Sequence, residues 1–142
     1  MSQVRMIMPF MDWDEIYSVK IGSLDKQHKK IIDMINDLHD RIAEGEDRKK
    51  LDEILVHLSV YTVKHFIYEE SLFKKHGYKY QQEHKKEHDE LAERVTEFHK
   101  RHTIQKKGIQ KELLEFFKNQ LHNHLITYDQ KYSNFMSNHG VK

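Results

Sequence analysis

Four long stretches of the chain carry apolar residues at alternating steps of four and three, and this spacing limits the fold more than any other feature. Steps of this kind place side chains along one face of an α-helix. Gly45 and Gly77 follow the first two stretches, and glycine is typical just past a helix end. The single proline, Pro9, precedes all four stretches. We therefore expect helices over residues of about 24–44, 49–76, 81–102 and 108–137.

The connections between these stretches are short, which makes neighbouring helices antiparallel. The sequence thus predicts an all-α fold, an up-down-up-down antiparallel four-helix bundle with an extended N-terminal leader. We expect residues 1–142 to form a single domain, with the leader over 1–22 and the bundle over 23–137. The apolar patch from Met6 to Met11 is too short to span a membrane. It is expected to lie on the domain as a strap.

Composition excludes several classes of function. Lysine and arginine total 24 against 23 acidic residues, so no broad positive field is available to attract nucleic acid. The chain has no cysteine, which excludes thiolate ligation of a metal and suits a reducing compartment. We expect a cytoplasmic protein with neither nucleic acid nor membrane as a partner.

Polar side chains occupy several positions of the helical faces where a core needs apolar ones. Burying an unpaired carboxylate or imidazole costs free energy, so such groups are normally paired or bound to metal. Each has a plain interpretation by itself: a single core histidine is usually hydrogen-bonded, and an HxxxH pair in a histidine-rich helix is often accidental. The residues concerned are His28, His65, Glu69, His84, His88 and His124.

Their joint placement favours a metal site. Antiparallel helices bring the start of the first, the end of the second, the start of the third and the end of the fourth to the same end of the bundle. All six residues fall there, together with Asp129. Five imidazoles and two carboxylates exceed what one ion takes, which indicates a dinuclear site with bridging carboxylates. Nitrogen and oxygen ligands without sulfur suit iron, manganese or zinc, and tetrahedral zinc does not need so many.

Four segments, IGSLDKQHKKI, HFIYEE, YQQEHKKEH and HNHLITYDQKY, resemble the hemerythrin family, in particular its small single-domain bacterial members. Myohemerythrin is a known example of the up-down-up-down topology. The resemblance runs from Trp13 to Tyr132. It implies a non-haem centre of two iron ions with an oxo or hydroxo bridge. By this resemblance His84, His88 and His124 bind one iron, while His28 and His65 bind the second and leave one position open. Glu69 and Asp129 bridge the pair, and the role of Asp129 rests on the resemblance because it lies off the helical face of His124.

The resemblance also implies reversible binding of dioxygen, for oxygen storage, transport or scavenging, rather than an enzyme. The expected partners are dioxygen and a downstream oxygen-using enzyme, and the chain is expected as a monomer or weak homo-oligomer. Relatives often carry tryptophan where this chain has Gln120. The amide of Gln120 either faces the oxygen pocket or points outward, and the sequence leaves both orientations open. The alternatives are an enzyme with the same centre, a peroxidase or nitric oxide reductase, and an iron store. The implied walls of the oxygen pocket are Ile31, Phe66, Leu121 and Leu125.

Overall fold

The computed structural model describes the backbone of residues 9–104 and 109–142, and the side chains of residues 9–101 and 111–142. These residues form α-helices and no strand. A short 3₁₀ turn, Glu15–Tyr17, precedes the helices, and a π-helical turn, Leu125–Asp129, joins the last two. The helices are α1 (Gly22–Ala43), α2 (Arg48–His76), α3 (Gln81–Ile104), α4 (Ile109–His124) and α5 (Gln130–Asn138).

The helices contact one another in a ring, with α1 on α2, α2 on α3, α3 on α4 and α4 on α1. Local chemistry sets the connections. The Asp47 side chain accepts a hydrogen bond from the Lys50 amide at the start of α2. Gly77 ends α2 in the left-handed conformation, with φ of 70°. The all-α four-helix bundle that the sequence predicts is confirmed.

The first three helices begin and end within two residues of the predicted bounds. The predicted start of the fourth helix, near Gly108, lies outside the described residues. The fourth helix differs in a second respect, because it is not one continuous α-helix. The π-helical turn interrupts it between His124 and Gln130. A π turn closes hydrogen bonds over five residues instead of four, so it holds one residue more than an α turn.

A polar layer crosses the bundle between two apolar clusters. One cluster holds residues such as Ile31, Leu58 and Val95, and the other includes Leu24 and Phe73. The buried histidines and carboxylates lie between these positions on each helix. Apolar side chains therefore close the layer from both ends of the bundle, which positions it away from water.

The leader lies along the bundle where the structure describes it, from Pro9 onward; Met6–Met8 of the apolar patch fall outside the described residues. The Met11 amide donates to Asn36 Oδ1 at 2.8 Å, and Asn36 Nδ2 donates to the Met11 carbonyl at 2.7 Å. Met11 and Tyr17 are buried against Ile32 and Leu125. Among the described helices, none is long and apolar enough to cross a membrane.

Candidate metal centre

Seven predicted site residues come together in the polar layer. Each is at most 3% exposed, which is rare for carboxylates and imidazoles unless they are paired or bind metal. α1 contributes one of them, α2 two, α3 two, and the α4–α5 region two. They are His28, His65, Glu69, His84, His88, His124 and Asp129.

Glu69 lies at the centre of the layer. Its Oε1 is 3.0 Å from His88 Nε2 and 3.4 Å from His65 Nε2. Its Oε2 is 3.5 Å from His28 Nε2. One carboxylate therefore faces imidazoles from three helices, α1, α2 and α3. This arrangement lets its two oxygens reach different partners at the same time.

Asp129 is the second carboxylate of the layer and, like Glu69, it contacts both His28 and His84. Its Oδ1 is 3.0 Å from His124 Nε2 and 3.1 Å from His84 Nε2, and its Oδ2 is 3.2 Å from His28 Nε2. In a regular α-helix a residue five positions after His124 would point off its face. The π-helical turn removes this offset, because it places residues five apart one above the other.

The ligand atoms divide into two compact groups, and within each group they lie within 4.8 Å of one another. One group is Glu69, His84, His88 and His124, and the other is His28, His65 and Glu69. Glu69 belongs to both groups. A pair of ions that share one carboxylate fits this donor set, which offers only nitrogen and oxygen.

Several of these atoms have no hydrogen-bond partner among the described residues, although all are buried. Buried polar atoms without partners are rare in native proteins and each calls for an explanation. Nε2 of His88 and of His84 lie 3.0 and 3.7 Å from Glu69 Oε1, and Nε2 of His124 and of His84 lie 3.0 and 3.1 Å from Asp129 Oδ1. Metal ions between these atoms would satisfy all of them together. The inward-facing atoms are Glu69 Oε1, His84 Nε2, His88 Nε2, His124 Nε2 and both Asp129 oxygens.

Electrostatics indicate which charges the layer carries without metal. Burial opposes a charged imidazole, but the nearby carboxylates of Asp129 and Glu69, 3.2 and 3.5 Å from His28 Nε2, outweigh it and raise the pKa of His28 to about 10. The same balance raises the pKa of His84 to about 9. Burial would raise the pKa of Glu69, yet the surrounding histidines lower it well below its ordinary value. These directions favour ionised carboxylates beside protonated His28 and His84, and metal cations would displace the protons of those two imidazoles.

Three further side chains support the ligands from outside, and the sequence reasoning missed them. His65 Nδ1 donates to Gln27 Oε1 at 2.6 Å, and His88 Nδ1 donates to Glu70 Oε2 at 2.8 Å. The Tyr132 hydroxyl donates to Glu69 Oε2. Their only signal in the sequence is position: Gln27 and Glu70 adjoin predicted ligands, but each contacts a histidine on a different helix.

A cavity of about 40 Å³ adjoins the layer. A water molecule needs about 10–15 Å³ on this measure, so the cavity admits a small molecule and excludes a large substrate. Two polar side chains outside the layer line the cavity, those of Thr62 and Gln120. The Thr62 hydroxyl donates to the Leu58 carbonyl. The described residues offer the Gln120 amide no hydrogen bond. The walls are otherwise apolar and aromatic, with Ile31, Ile35, Phe66, Leu91, Val95, Phe116, Phe117 and Leu121, and His28, His65 and His124 border it.

The structure places four of the five predicted pocket residues around this cavity. Ile31, Phe66, Gln120 and Leu121 line it. Leu125 does not; it is fully buried beneath the leader, against Met11. The reason is that Leu125 begins the π-helical turn and faces the leader rather than the centre of the bundle.

Comparison with known proteins identifies the family to which the fold belongs. Residues 19–134, most of the chain, match the family model described as the hemerythrin HHE cation binding domain. The chain belongs to the hemerythrin family. A bacteriohemerythrin from Methylococcus capsulatus is 33% identical over 131 residues, which cover 92% of this chain and 99% of that protein. One from Stenotrophomonas maltophilia is 31% identical, covering 93% of this chain and 85% of that protein.

A bacteriohemerythrin from Pseudomonas aeruginosa is 36% identical over 91 residues, and the match spans 59% of that relative's length. Solved structures agree on the fold. A crystal structure of wild-type hemerythrin superposes with a TM-score of 0.82 at 33% identity, covering 89% of this chain and 98% of that one. A leucine-to-alanine variant of hemerythrin gives 0.84 at 32% identity. The four-helix bundle of this chain thus has solved counterparts that match most of its length.

Proposed function

We propose that this protein holds two iron ions between its helices and uses them to bind dioxygen reversibly. The observation that carries this proposal is the pair of buried ligand groups that share Glu69 beside a small, mostly apolar cavity. Membership of the hemerythrin family supports iron as the metal. Zinc has no redox chemistry and cannot serve this function.

Each of the two groups of ligand atoms would hold one iron ion. His84, His88 and His124 would hold one ion through their Nε2 atoms. His28 and His65 would hold the other, with fewer imidazoles and therefore with room for a ligand. Glu69 and Asp129 would bind both ions, since each carboxylate faces imidazoles of both groups. Both histidines of this second group border the cavity, as does His124 of the first, so an open position on the ion with fewer imidazoles would be within reach of the cavity.

When bound and reduced, the iron pair supplies the electrons that reversible dioxygen binding requires. The chain keeps the site dry. Ile31, Phe66 and Leu121 surround the cavity with apolar side chains, which disfavour the entry of water and protons. Water in this position would promote irreversible oxidation of the metals, so the apolar walls favour release of dioxygen unchanged.

A second candidate function rests on Gln120. Its amide lines the cavity and hydrogen-bonds to no described residue, so it is available to a bound ligand or to water. A polar group at this position favours an enzyme, a peroxidase or nitric oxide reductase, that turns over a small molecule at the same centre. The small cavity volume is compatible with either function, because hydrogen peroxide, nitric oxide and dioxygen are all small.

In the cell we propose storage, delivery or scavenging of dioxygen in the cytoplasm, where a chain without cysteine suits the reducing conditions. A downstream oxygen-using enzyme would be the recipient. The mixed surface charge, 24 basic against 23 acidic residues, offers nucleic acid no attraction.

An optical experiment tests the proposal and separates the two functions. Iron-loaded protein is reduced without air, exposed to dioxygen and then degassed, with spectra recorded at each step. Reversible binding predicts a charge-transfer band that appears in air and disappears on degassing, over repeated cycles. Direct passage to a stable ferric spectrum, with peroxide released or consumed, would contradict the carrier function and favour the enzyme.

A further inference from the structure

The two ligand groups differ in the hydrogen-bond acceptor at the outer ring nitrogen, Nδ1, of one histidine in each group. His88, in the group with His84 and His124, donates from Nδ1 to the carboxylate of Glu70 at 2.8 Å. His65, in the group with His28, donates from Nδ1 to the neutral amide oxygen of Gln27 at 2.6 Å. In both cases Nδ1 is the ring nitrogen on the side away from the centre.

Both contacts fix the imidazole in the same way, but only one adds charge. An acceptor at Nδ1 holds the proton there and leaves Nε2 free to bind a metal. A carboxylate acceptor also increases the basicity of Nε2, whereas an amide orients the ring without adding charge. His88 should therefore be a stronger ligand than His65, although the two rings are equally buried.

The surroundings strengthen this difference. The ring of Phe66 stacks on His88 with a centroid distance of 3.9 Å and an interplanar angle of 9°, which holds the ring facing Glu70. Each group also contains one histidine whose Nδ1 is buried without a partner among the described residues, His28 in one group and His124 in the other. The two groups therefore differ in the acceptor behind His65 and His88, and in the additional imidazole that His84 contributes to the group of His88.

We propose that Glu70 and Gln27 set the order in which the two metal ions bind. Glu70 makes the group of His84, His88 and His124 the tighter site, which fills first. Gln27 leaves the group of His28 and His65 as the weaker site, which fills second. Both are positioning residues that act through a histidine, and this inference rests on the two-metal site of the proposed function.

Titration of the metal-free protein with Co²⁺ tests this. Competition with a chelator gives the two affinities, and hyperfine-shifted ¹H NMR signals at one equivalent identify the filled site by the number of its imidazoles. The wild type should show three imidazoles at one equivalent. Glu70→Gln keeps the shape of the acceptor and removes its charge, so the first affinity should fall about 10–100-fold and the second should not change.

The reverse change strengthens the test. Gln27→Glu adds a carboxylate behind His65 and should tighten the second affinity without altering the first. The double exchange, Gln27→Glu with Glu70→Gln, should bring the two affinities closer together than in the wild type. Glu93→Gln, an exposed glutamate on α3, is the matched control and should leave both affinities unchanged.

Two results would overturn the inference while leaving the metal site intact: affinities that do not move in Glu70→Gln, or a loss shared equally by both steps, which would indicate a merely structural role. Circular dichroism and thermal unfolding of each variant separate that case from misfolding. A wild-type chain that binds no Co²⁺ at all would overturn the proposed function, and the inference with it.

Discussion

Glu69 is the residue on which the proposed metal centre depends most, because both groups of candidate ligand atoms include it. Its position four residues after His65 places both side chains on one face of α2, and the Tyr132 hydroxyl holds its second oxygen. Burial raises the pKa of Tyr132, so that hydroxyl keeps its proton and remains a donor.

We predict that Glu69→Gln leaves the helices folded but lowers iron content from two ions per chain to one or none. Glutamine has the same shape but lacks the charge that two cations share. Elemental analysis after reconstitution measures the ratio, with Glu93→Gln as the control. Two ions retained in Glu69→Gln would contradict the bridging role.

Gln120 supplies a prediction about the cavity. Leucine has nearly the same volume and no hydrogen-bonding group, so Gln120→Leu should make the cavity drier and slow oxidation of the oxygen-loaded protein by several-fold. The decay of the charge-transfer band measures this rate. Asn119→Leu, at the neighbouring exposed position, is the control. An unchanged rate in Gln120→Leu would show that the amide has no part in admitting water.

At the scale of elements, the π-helical turn explains how α4 and α5 serve one site. It holds one residue more than an α turn, so Tyr132 and Met136 of α5 stay on the buried face while Asp129 meets His124. The extra residue is absorbed within Leu125–Asp129, where Ile126 and Thr127 are exposed.

We therefore predict that deleting Thr127 is tolerated better than deleting Asn119. Without Thr127 the turn can close as a regular α turn, and α5 keeps its face toward the core. Without Asn119 every later residue of the fourth helix rotates by about 100° relative to the core. Iron content and thermal unfolding measure the difference. Equal damage from the two deletions would contradict this account of the turn.

The leader is a second element with a measurable contribution. Asn36 exchanges two hydrogen bonds with the backbone of Met11, each worth about 0.5–1.5 kcal/mol net. Asn36→Ala should lower the free energy of unfolding by about 1–3 kcal/mol in chemical denaturation. Asn123→Ala, at an exposed position on α4, is the control and should change it by less than about 0.5 kcal/mol. A loss no larger than that of the control would mean that the leader is held mainly by apolar contacts.

At the scale of the whole molecule, the sequence predicts the four-helix bundle. It also predicts that the buried histidines and carboxylates come together toward one end of that bundle. It does so because antiparallel order alone brings His28, His65 and His84 together, whatever the details of packing. It does not predict the π-helical turn, because steps of four and three describe a regular α-helix and do not reveal one inserted residue. Asp129 therefore had no support from spacing. The contacts of Gln27 and Glu70 depend on side-chain directions across helices, which periodicity does not specify.

The same limit applies to the cavity. The sequence indicates which residues are apolar. It does not indicate that Leu125 faces the leader, because that orientation follows from the conformation of the π-helical turn. The position of Gln120 at the cavity likewise depends on how α4 rotates against α1. Such details are settled by packing between elements that lie far apart in the chain.

The most direct test of the central claim is a crystal structure of the iron-loaded protein with anomalous diffraction at the iron edge. We predict two iron peaks within the polar layer, both between Glu69 and Asp129, with His84, His88 and His124 around one and His28 and His65 around the other. A single peak, or iron bound away from these residues, would contradict the two-metal centre on which the proposed function depends.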